Sequence, residues 1–365
     1  MSYCPELFHN IYVEKIRDNQ VQLANCCLQP RSDYTNKIDF YHQYLEKQRK
    51  FNADYGILPL SCKACTDLEK LNVQSRRQQL LKDHTGDILD FTPKLKKLNY
   101  NCENICNLKC ITCSSFNSSS WIVDEKKLGI PITYKGKDTK KNKLMLEYNL
   151  QGIETVSFNG GEPLLTRDHH TILEYLITNN DSTNINVEYN TNATCSIDQQ
   201  TIELWKKFKS ITLACSIDGI EESFEYTRFP ANWNNVSNNI KGYQTLDVTV
   251  SVSMTVGLHN VLYVGDMFRW ANQNNLYMGI NNCQGILELK NWPLHLKNKL
   301  QDFLVTLPDT EFKTNLFNLS NGVSGKNLYW IRYLAKLDII RNNSWKQSLY
   351  KLYNLDPAFF DTFSD

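Results

Sequence analysis

Between residues 96 and 283, short runs rich in β-branched residues alternate with segments whose apolar residues recur at helical spacing. That alternation is the pattern of repeated βα units, which bury a parallel sheet beneath its crossover helices. The expected strands are Lys97–Asn101, Thr155–Phe158, Asn186–Asn190, Ile211–Ile217, Asp247–Thr255 and Leu276–Asn281. Helical periodicity falls over Thr171–Thr178, Ile202–Phe208, Val236–Tyr243 and Val261–Asn272. Six such strands fit an α/β fold, an open, partial (β/α)6 TIM-like barrel, whose functional residues collect where the strands end.

Two flanking segments complete the expected organisation. In residues 1–95 the runs Phe8–Val13 and Gln20–Leu23 flank Arg17-Asp18-Asn19, which predicts a small hairpin delivering Cys26 and Cys27. Helices are expected from about Lys37 to Phe51 and from about Thr66 to Leu81. Residues 284–365 read as a mainly helical, aromatic-rich extension with Pro293 and Pro308 as breakers. The abundance of Asn is taken as compositional bias without functional content.

Forty basic residues against 39 acidic ones leave a formal charge of +1. So even a balance argues against a polyanion-binding surface, and nucleic acid is not an expected partner. No apolar run long enough to span a bilayer occurs, and the N-terminus lacks a signal-peptide pattern, so a cytoplasmic location without membrane contact is expected. In such a chain the twelve cysteines point to metal more than to disulfides.

Three of them, Cys106, Cys110 and Cys113, stand in a CxxxCxxC run just after the first expected strand. Thiolates select iron–sulfur clusters or zinc over hard metals. Three ligands leave one iron of a four-iron cluster open, to be closed by another residue, solvent or a cofactor. Cys102 forms a competing i, i+4, i+8 set with Cys106 and Cys110, but lies where the strand should still be running. Downstream, Gly160-Gly161-Glu162-Pro163 closes the second expected strand, the glycines being suited to close backbone approach.

In spacing and order these two motifs resemble the radical S-adenosylmethionine (radical SAM) superfamily. The resemblance implies a [4Fe-4S] cluster on Cys106, Cys110 and Cys113, its open iron chelated by SAM. It further implies SAM contacts from Gly160, Gly161 and Glu162, from Asn190 and Asn192 at the ribose, and from Ser216 and Arg228 at the carboxylate. An ordinary Asn-rich turn and a surface salt bridge remain the alternatives for the Asn pair and for Arg228. The family usually carries an aromatic residue just before the third cysteine; here it is Thr112, and Phe116 is the expected substitute. By the same resemblance a reduced cluster splits SAM to a 5′-deoxyadenosyl radical that abstracts a substrate hydrogen.

The cysteines of residues 1–95 resemble the auxiliary-cluster half-domain called twitch, a relative of SPASM, placed before the barrel. Cys4, Cys26, Cys62 and Cys65 would then bind a second [4Fe-4S] cluster, with Cys27 an alternative to Cys26, and zinc in the same four residues the alternative metal. Ser75-Arg76 and Leu337–Arg341 add to that likeness. The resulting domains are 1–95, twitch-like; 96–283, radical SAM barrel; and 284–365, helical extension. The resemblance implies an oxidoreductase or maturase acting on a peptide or protein side chain, or else on a sugar- or nucleoside-derived small molecule, with flavodoxin or ferredoxin as electron donor. A non-catalytic zinc scaffold is the reading of another class. Lys135, Lys137, Lys140, Lys141 and Lys143 read as a solvated basic loop, His169 and His170 as capping or surface residues, Cys215 as core, and Cys283 as a buried thiol with hydrogen-atom donation the alternative.

Overall fold

The computed structural model describes residues 2–17, 20–82, 84, 90–132 and 150–363. The five lysines of the basic run and the turn residues Asp18 and Asn19 lie outside them.

Eight strands form one sheet in the order β2-β1-β3-β4-β5-β6-β7-β8: β1 (Asn10–Arg17), β2 (Gln20–Ala24), β3 (Lys97–Asn101), β4 (Thr155–Asn159), β5 (Asn186–Thr191), β6 (Ser210–Ser216), β7 (Thr249–Val256) and β8 (Tyr277–Asn282). From β3 to β8 each strand pairs in parallel with the next in sequence. Antiparallel β1 and β2 form the expected hairpin, and β1 then pairs in parallel with β3, opposing Asn10 to Lys97 and Val13 to Tyr100. The six βα strands are therefore prolonged by the N-terminal hairpin into one open, mostly parallel α/β sheet.

Period-two alternation divides the sheet into two unlike faces. Val156 and Phe158 of β4, Val187 and Tyr189 of β5, Leu213 and Cys215 of β6, and Val252 and Met254 of β7 are all buried beneath the crossover helices. The opposite face carries Asn10, Tyr12 and Glu14, then Asn99 and Asn101, then Asn159, Asn190 and Ser216. Many of these are linked across strands. Asn99 Nδ2 donates to Asn10 Oδ1 at 2.6 Å, Asn101 donates to the Glu14 carboxylate, Asn190 donates to Asn159, and Asn281 Nδ2 donates to Ser253 Oγ at 2.8 Å. A closed barrel fills its interior with Val, Ile and Leu; this open sheet lines the corresponding face with carboxamides and hydroxyls. Six asparagines, Asn10, Asn99, Asn101, Asn159, Asn190 and Asn281, thus have a place on this face.

Helix limits differ from expectation where side chains cap them. The helix expected from about Lys37 to Phe51 runs Gln43–Tyr55, started by His42, whose ring accepts from Tyr44 N, and ended by Gly56 at φ 63°. The helix expected over 66–81 is two, Lys63–Lys70 and Arg76–Lys82. Asn72 adopts φ 54°, which Asn tolerates better than most residues, and Ser75 Oγ accepts from Gln78 N to restart the helix. In the C-terminal extension Trp330, Trp345 and Phe360 pack with ring centroids 5.5–6.2 Å apart. Its helix Tyr329–Arg341 reaches back to the loop and helix that follow β3, Tyr333 bonding Ile111 O and Arg341 meeting Asp124.

Candidate active site

At the C-terminal ends of the strands the polar face opens into a cavity of about 530 Å³. Cys106, Cys110 and Cys113 line it together, on a loop fixed from three sides. From the β6 side, Phe229 O accepts from Lys109 N at 2.6 Å and Thr227 O from Ile111 N at 2.9 Å. From the helix Trp121–Leu128, Trp121 Nε1 donates to Cys110 O at 2.9 Å. From the C-terminal extension, Tyr333 Oη donates to Ile111 O at 2.9 Å. Lys109 Nζ and Arg341 Nε both meet the buried Asp124 carboxylate at 2.9 Å, joining the loop to both helices.

Gly160 and Gly161 line the cavity, but their small size serves the cysteine loop. A Cβ on Gly161 would strike Ile105 O and stand 2.8 Å from the Asn104 carbonyl carbon, and one on Gly160 would strike Cys102 O and Asn101 Oδ1. Gly161 N donates to Glu103 O at 3.0 Å and Glu162 N to Ile105 O at 2.8 Å. The glycines therefore let the end of β4 dock on the backbone that leads into Cys106, where the sequence suggested room for a cofactor.

Glu162 is fully buried and points away from the cavity wall. Its carboxylate accepts from Leu164 N at 3.1 Å, Thr191 Oγ1 at 2.8 Å and Asn192 N at 2.6 Å. Burial raises its pKa, opposed by those hydrogen bonds. Through these bonds the carboxylate ties the end of β4 to the end of β5. What it braces does reach the cavity: Asn192 Nδ2 lies 3.7 Å from Cys106 Sγ and donates to Asn107 Oδ1 at 3.0 Å.

Asn190 and Ser216 line the same cavity, as do Thr112, Phe116 and Cys283. Arg228 closes the wall beside the thiols. Its Nη2 lies 2.9 Å from Asp218, its Nη1 donates to Cys110 Sγ at 3.8 Å, and its Nε is buried without a partner among the described residues. The ion pair with Asp218 is buried and so is not the surface salt bridge that was the alternative for Arg228; one guanidinium donor is left over. Burial pushes the Cys110 thiol up to about 12, with Arg228 opposing, and raises Cys106 as well. Without a metal these thiols hold their protons at neutral pH, and metal binding must release them.

Four further thiols, Cys4, Cys26, Cys62 and Cys65, face a separate space of about 20 Å³. Cys26 faces this space and Cys27 faces the large cavity, which separates the two adjacent thiols. Burial, then the nearby Glu6 carboxylate, pushes Cys4 up to about 12, and Gln29 Nε2 donates to Cys62 Sγ at 3.2 Å. Among the described residues no three Cys, His, Asp or Glu side chains are gathered as a site for a single metal ion.

The residues missed from sequence are Tyr12, Glu14, Arg31 and Asn101, which wall the cavity on the hairpin side. The alternation of Asn10, Tyr12 and Glu14 against Ile11 and Val13 was the available signal. His169 and His170 are buried, against the surface expectation. His169 Nδ1 is 3.0 Å from Tyr189 Oη and His170 Nε2 is 2.8 Å from Thr201 Oγ1, because the first turn of the helix Asp168–Asn179 packs inward. Cys102 and Cys215 are core residues.

The fold and site together define an open, mostly parallel α/β sheet with a three-thiol loop on a polar cavity at its C-terminal edge. No protein-family model and no curated protein matches the chain. Among solved structures it is similar to native anSMEcpe with bound AdoMet, at 19 % identity and a TM-score of 0.43, covering 68 % of this chain and 62 % of that one. It is also similar to Streptococcus suis SuiB bound to S-adenosylmethionine, at 15 % identity and TM-score 0.42, covering 73 % and 57 %. For SuiB bound to the precursor peptide SuiA the values are 14 % and 0.40, covering 84 % and 69 %. The chain thus spans less than two thirds of anSMEcpe.

Proposed function

We propose that this chain is a radical SAM enzyme that removes a hydrogen atom from a peptide or protein side chain, with a second, auxiliary iron–sulfur cluster assisting. The carrying observation is the convergence on one polar cavity of Cys106, Cys110 and Cys113, the end of β4 at Gly160–Gly161, and Asn190, Ser216 and Arg228. Three thiols lining the cavity from one loop, with Cys102 of that loop buried in the core, suit a four-iron cluster that keeps one iron for a cofactor. When bound, the reduced cluster and SAM supply the hydrogen-abstracting radical.

The chain's own residues hold and orient. Asn192, braced through Glu162, sets the position of Cys106. Arg228 places positive charge beside Cys110, and its spare Nε suits an anionic group such as a carboxylate. The carboxamides and hydroxyls around the cavity offer alternating donors and acceptors, as an amide-bearing substrate does. Cys4, Cys26, Cys62 and Cys65 would close a four-thiolate shell, and a small electron-transfer protein of the flavodoxin or ferredoxin kind would reduce the clusters. No described helix is long and apolar enough to cross a membrane.

Iron and sulfide analysis after anaerobic reconstitution tests this reading. About eight of each per chain are expected, falling by half when Cys106, Cys110 and Cys113 are changed to Ala. Stoichiometric zinc without sulfide would overturn it.

A further inference from the structure

Only one turn of backbone separates the large cavity from the four-thiol pocket: Cys26 faces the pocket and Cys27, the next residue, lies exposed to the cavity. Arg31 gathers three carbonyls of that turn, beside Gln29, whose Oε1 accepts from Asn25 N at 3.2 Å. Arg31 Nη1 donates to Cys26 O at 3.4 Å and to Gln29 O, and Nη2 donates to Cys27 O at 3.2 Å. The remaining donors go to one carboxylate oxygen, Glu14 Oε2, which is 3.3 Å from Nε and 3.1 Å from Nη2. Every face of the fork is used, and the guanidinium plane stacks on Tyr12 with Cζ 4.5 Å from the ring centroid. An arginine so engaged has no donor left for a ligand; its chemistry is to fix what it touches.

Glu14 carries the connection onward. Its side chain is fully buried, and its other oxygen, Oε1, accepts from Asn101, the last residue of β3, which leads directly into the loop bearing Cys106. A lone buried carboxylate is costly, and here one cation and one amide offset it. The hairpin's parallel pairing with β3 brings Glu14 level with Asn101.

We propose that Arg31 and Glu14 are positioning residues that hold the Cys26–Cys27 turn as a partition, presenting Cys26 to the four-thiol pocket and Cys27 to the substrate side of the large cavity, in fixed register with the Cys106 loop. The role in cofactor retention rests on the four cysteines being ligands, as proposed above; the orientation of the two thiols does not.

Two readouts test it, both in the full chain carrying Cys106, Cys110 and Cys113 as Ala so that all bound iron belongs to the second site. In the metal-free protein, iodoacetamide followed by peptide mass analysis should alkylate Cys27 well ahead of Cys26, and Arg31→Gln should bring the two rates together. In the reconstituted protein, Arg31→Gln should speed extraction of iron by a chelator about 10–100-fold, the usual scale for loss of an outer-shell partner. Arg31→Lys, which keeps the charge without the fork, and Glu14→Gln should fall between; they decide the matter by the same readouts if Arg31→Gln does not fold. Equal labelling of Cys26 and Cys27 in the parent, or an unchanged labelling ratio in all three variants, overturns the proposal. If the parent takes up no iron while the labelling shift appears, the partition stands and the cluster assignment for the pocket falls.

Discussion

Replacing Glu162 by Gln asks whether this carboxylate braces the site or touches a cofactor. The wild-type side chain accepts three hydrogen bonds, from Asn192 N at 2.6 Å, Thr191 Oγ1 at 2.8 Å and Leu164 N at 3.1 Å. Gln offers one acceptor oxygen and one NH2 group. If the oxygen faces Asn192, the NH2 meets the N–H of Leu164; if it is flipped, the NH2 meets the N–H of Asn192. One donor is orphaned either way. A bond to a charged group contributes about 1.5–3 kcal/mol and an unsatisfied buried donor costs about 1–3 kcal/mol. Against this, the neutral amide is easier to bury than a carboxylate whose pKa burial already raises. The expected net loss in unfolding free energy is about 2–3 kcal/mol, read from urea denaturation of the metal-free protein. Iron at the Cys106 site should also be lost faster to a chelator, because Asn192 is no longer held against Cys106 Sγ. Wild-type stability together with a large loss of SAM affinity in calorimetry would refute the brace and make Glu162 a direct contact.

Other outcomes follow from the same geometry. Gly161→Val should lose iron from the Cys106 site as well as turnover, since its side chain would strike Ile105 O; retained iron with lost SAM binding would instead favour a cofactor contact. Arg228→Ala should destabilise the fold by about 3–5 kcal/mol in thermal or urea melts, because it strands Asp218 in the interior. Trp330→Ala should cost about 3–5 kcal/mol by emptying the aromatic cluster of the C-terminal extension. Burial lowers His259 to about 3, and neither ring nitrogen has a partner among the described residues. The unfolded chain therefore binds that proton first, and stability is full above about pH 6.5 and falls as the pH drops toward 3, by about 2 kcal/mol at pH 5 for this residue. His259→Leu should remove that part of the acid sensitivity; an unchanged difference between melts at pH 7 and pH 5 would show that His259 does not supply it.

The sequence disclosed the parts whose signal is local. The six βα strands repeat a short pattern, and their observed limits lie within a residue or two of the expected ones. The cysteine loop was legible because its spacing alone sets three thiols on one turn. What was hidden depends on partners distant in the chain. The pairing of β1 with β3 joins residues more than eighty positions apart and leaves no mark in either strand except the alternation of Asn10, Tyr12 and Glu14. For that reason the hairpin wall of the cavity, with Glu14 and Arg31, went unseen. The histidines 169 and 170 were misplaced for a related reason: a polar side chain reads as exposed until the buried acceptor or donor that satisfies it is known. The division of Cys26 from Cys27 required the direction of one turn, which spacing does not encode.

The central claim is tested most directly by whether the anaerobically reconstituted protein, reduced with dithionite, cleaves S-adenosylmethionine. The wild type should release 5′-deoxyadenosine. Cys110→Ala should release none, since it removes one of the three loop thiols that line the cavity, and deuterium carried from a labelled peptide into 5′-deoxyadenosine would identify the substrate. A wild-type protein that holds both clusters yet forms no 5′-deoxyadenosine at any reductant level would contradict the assignment.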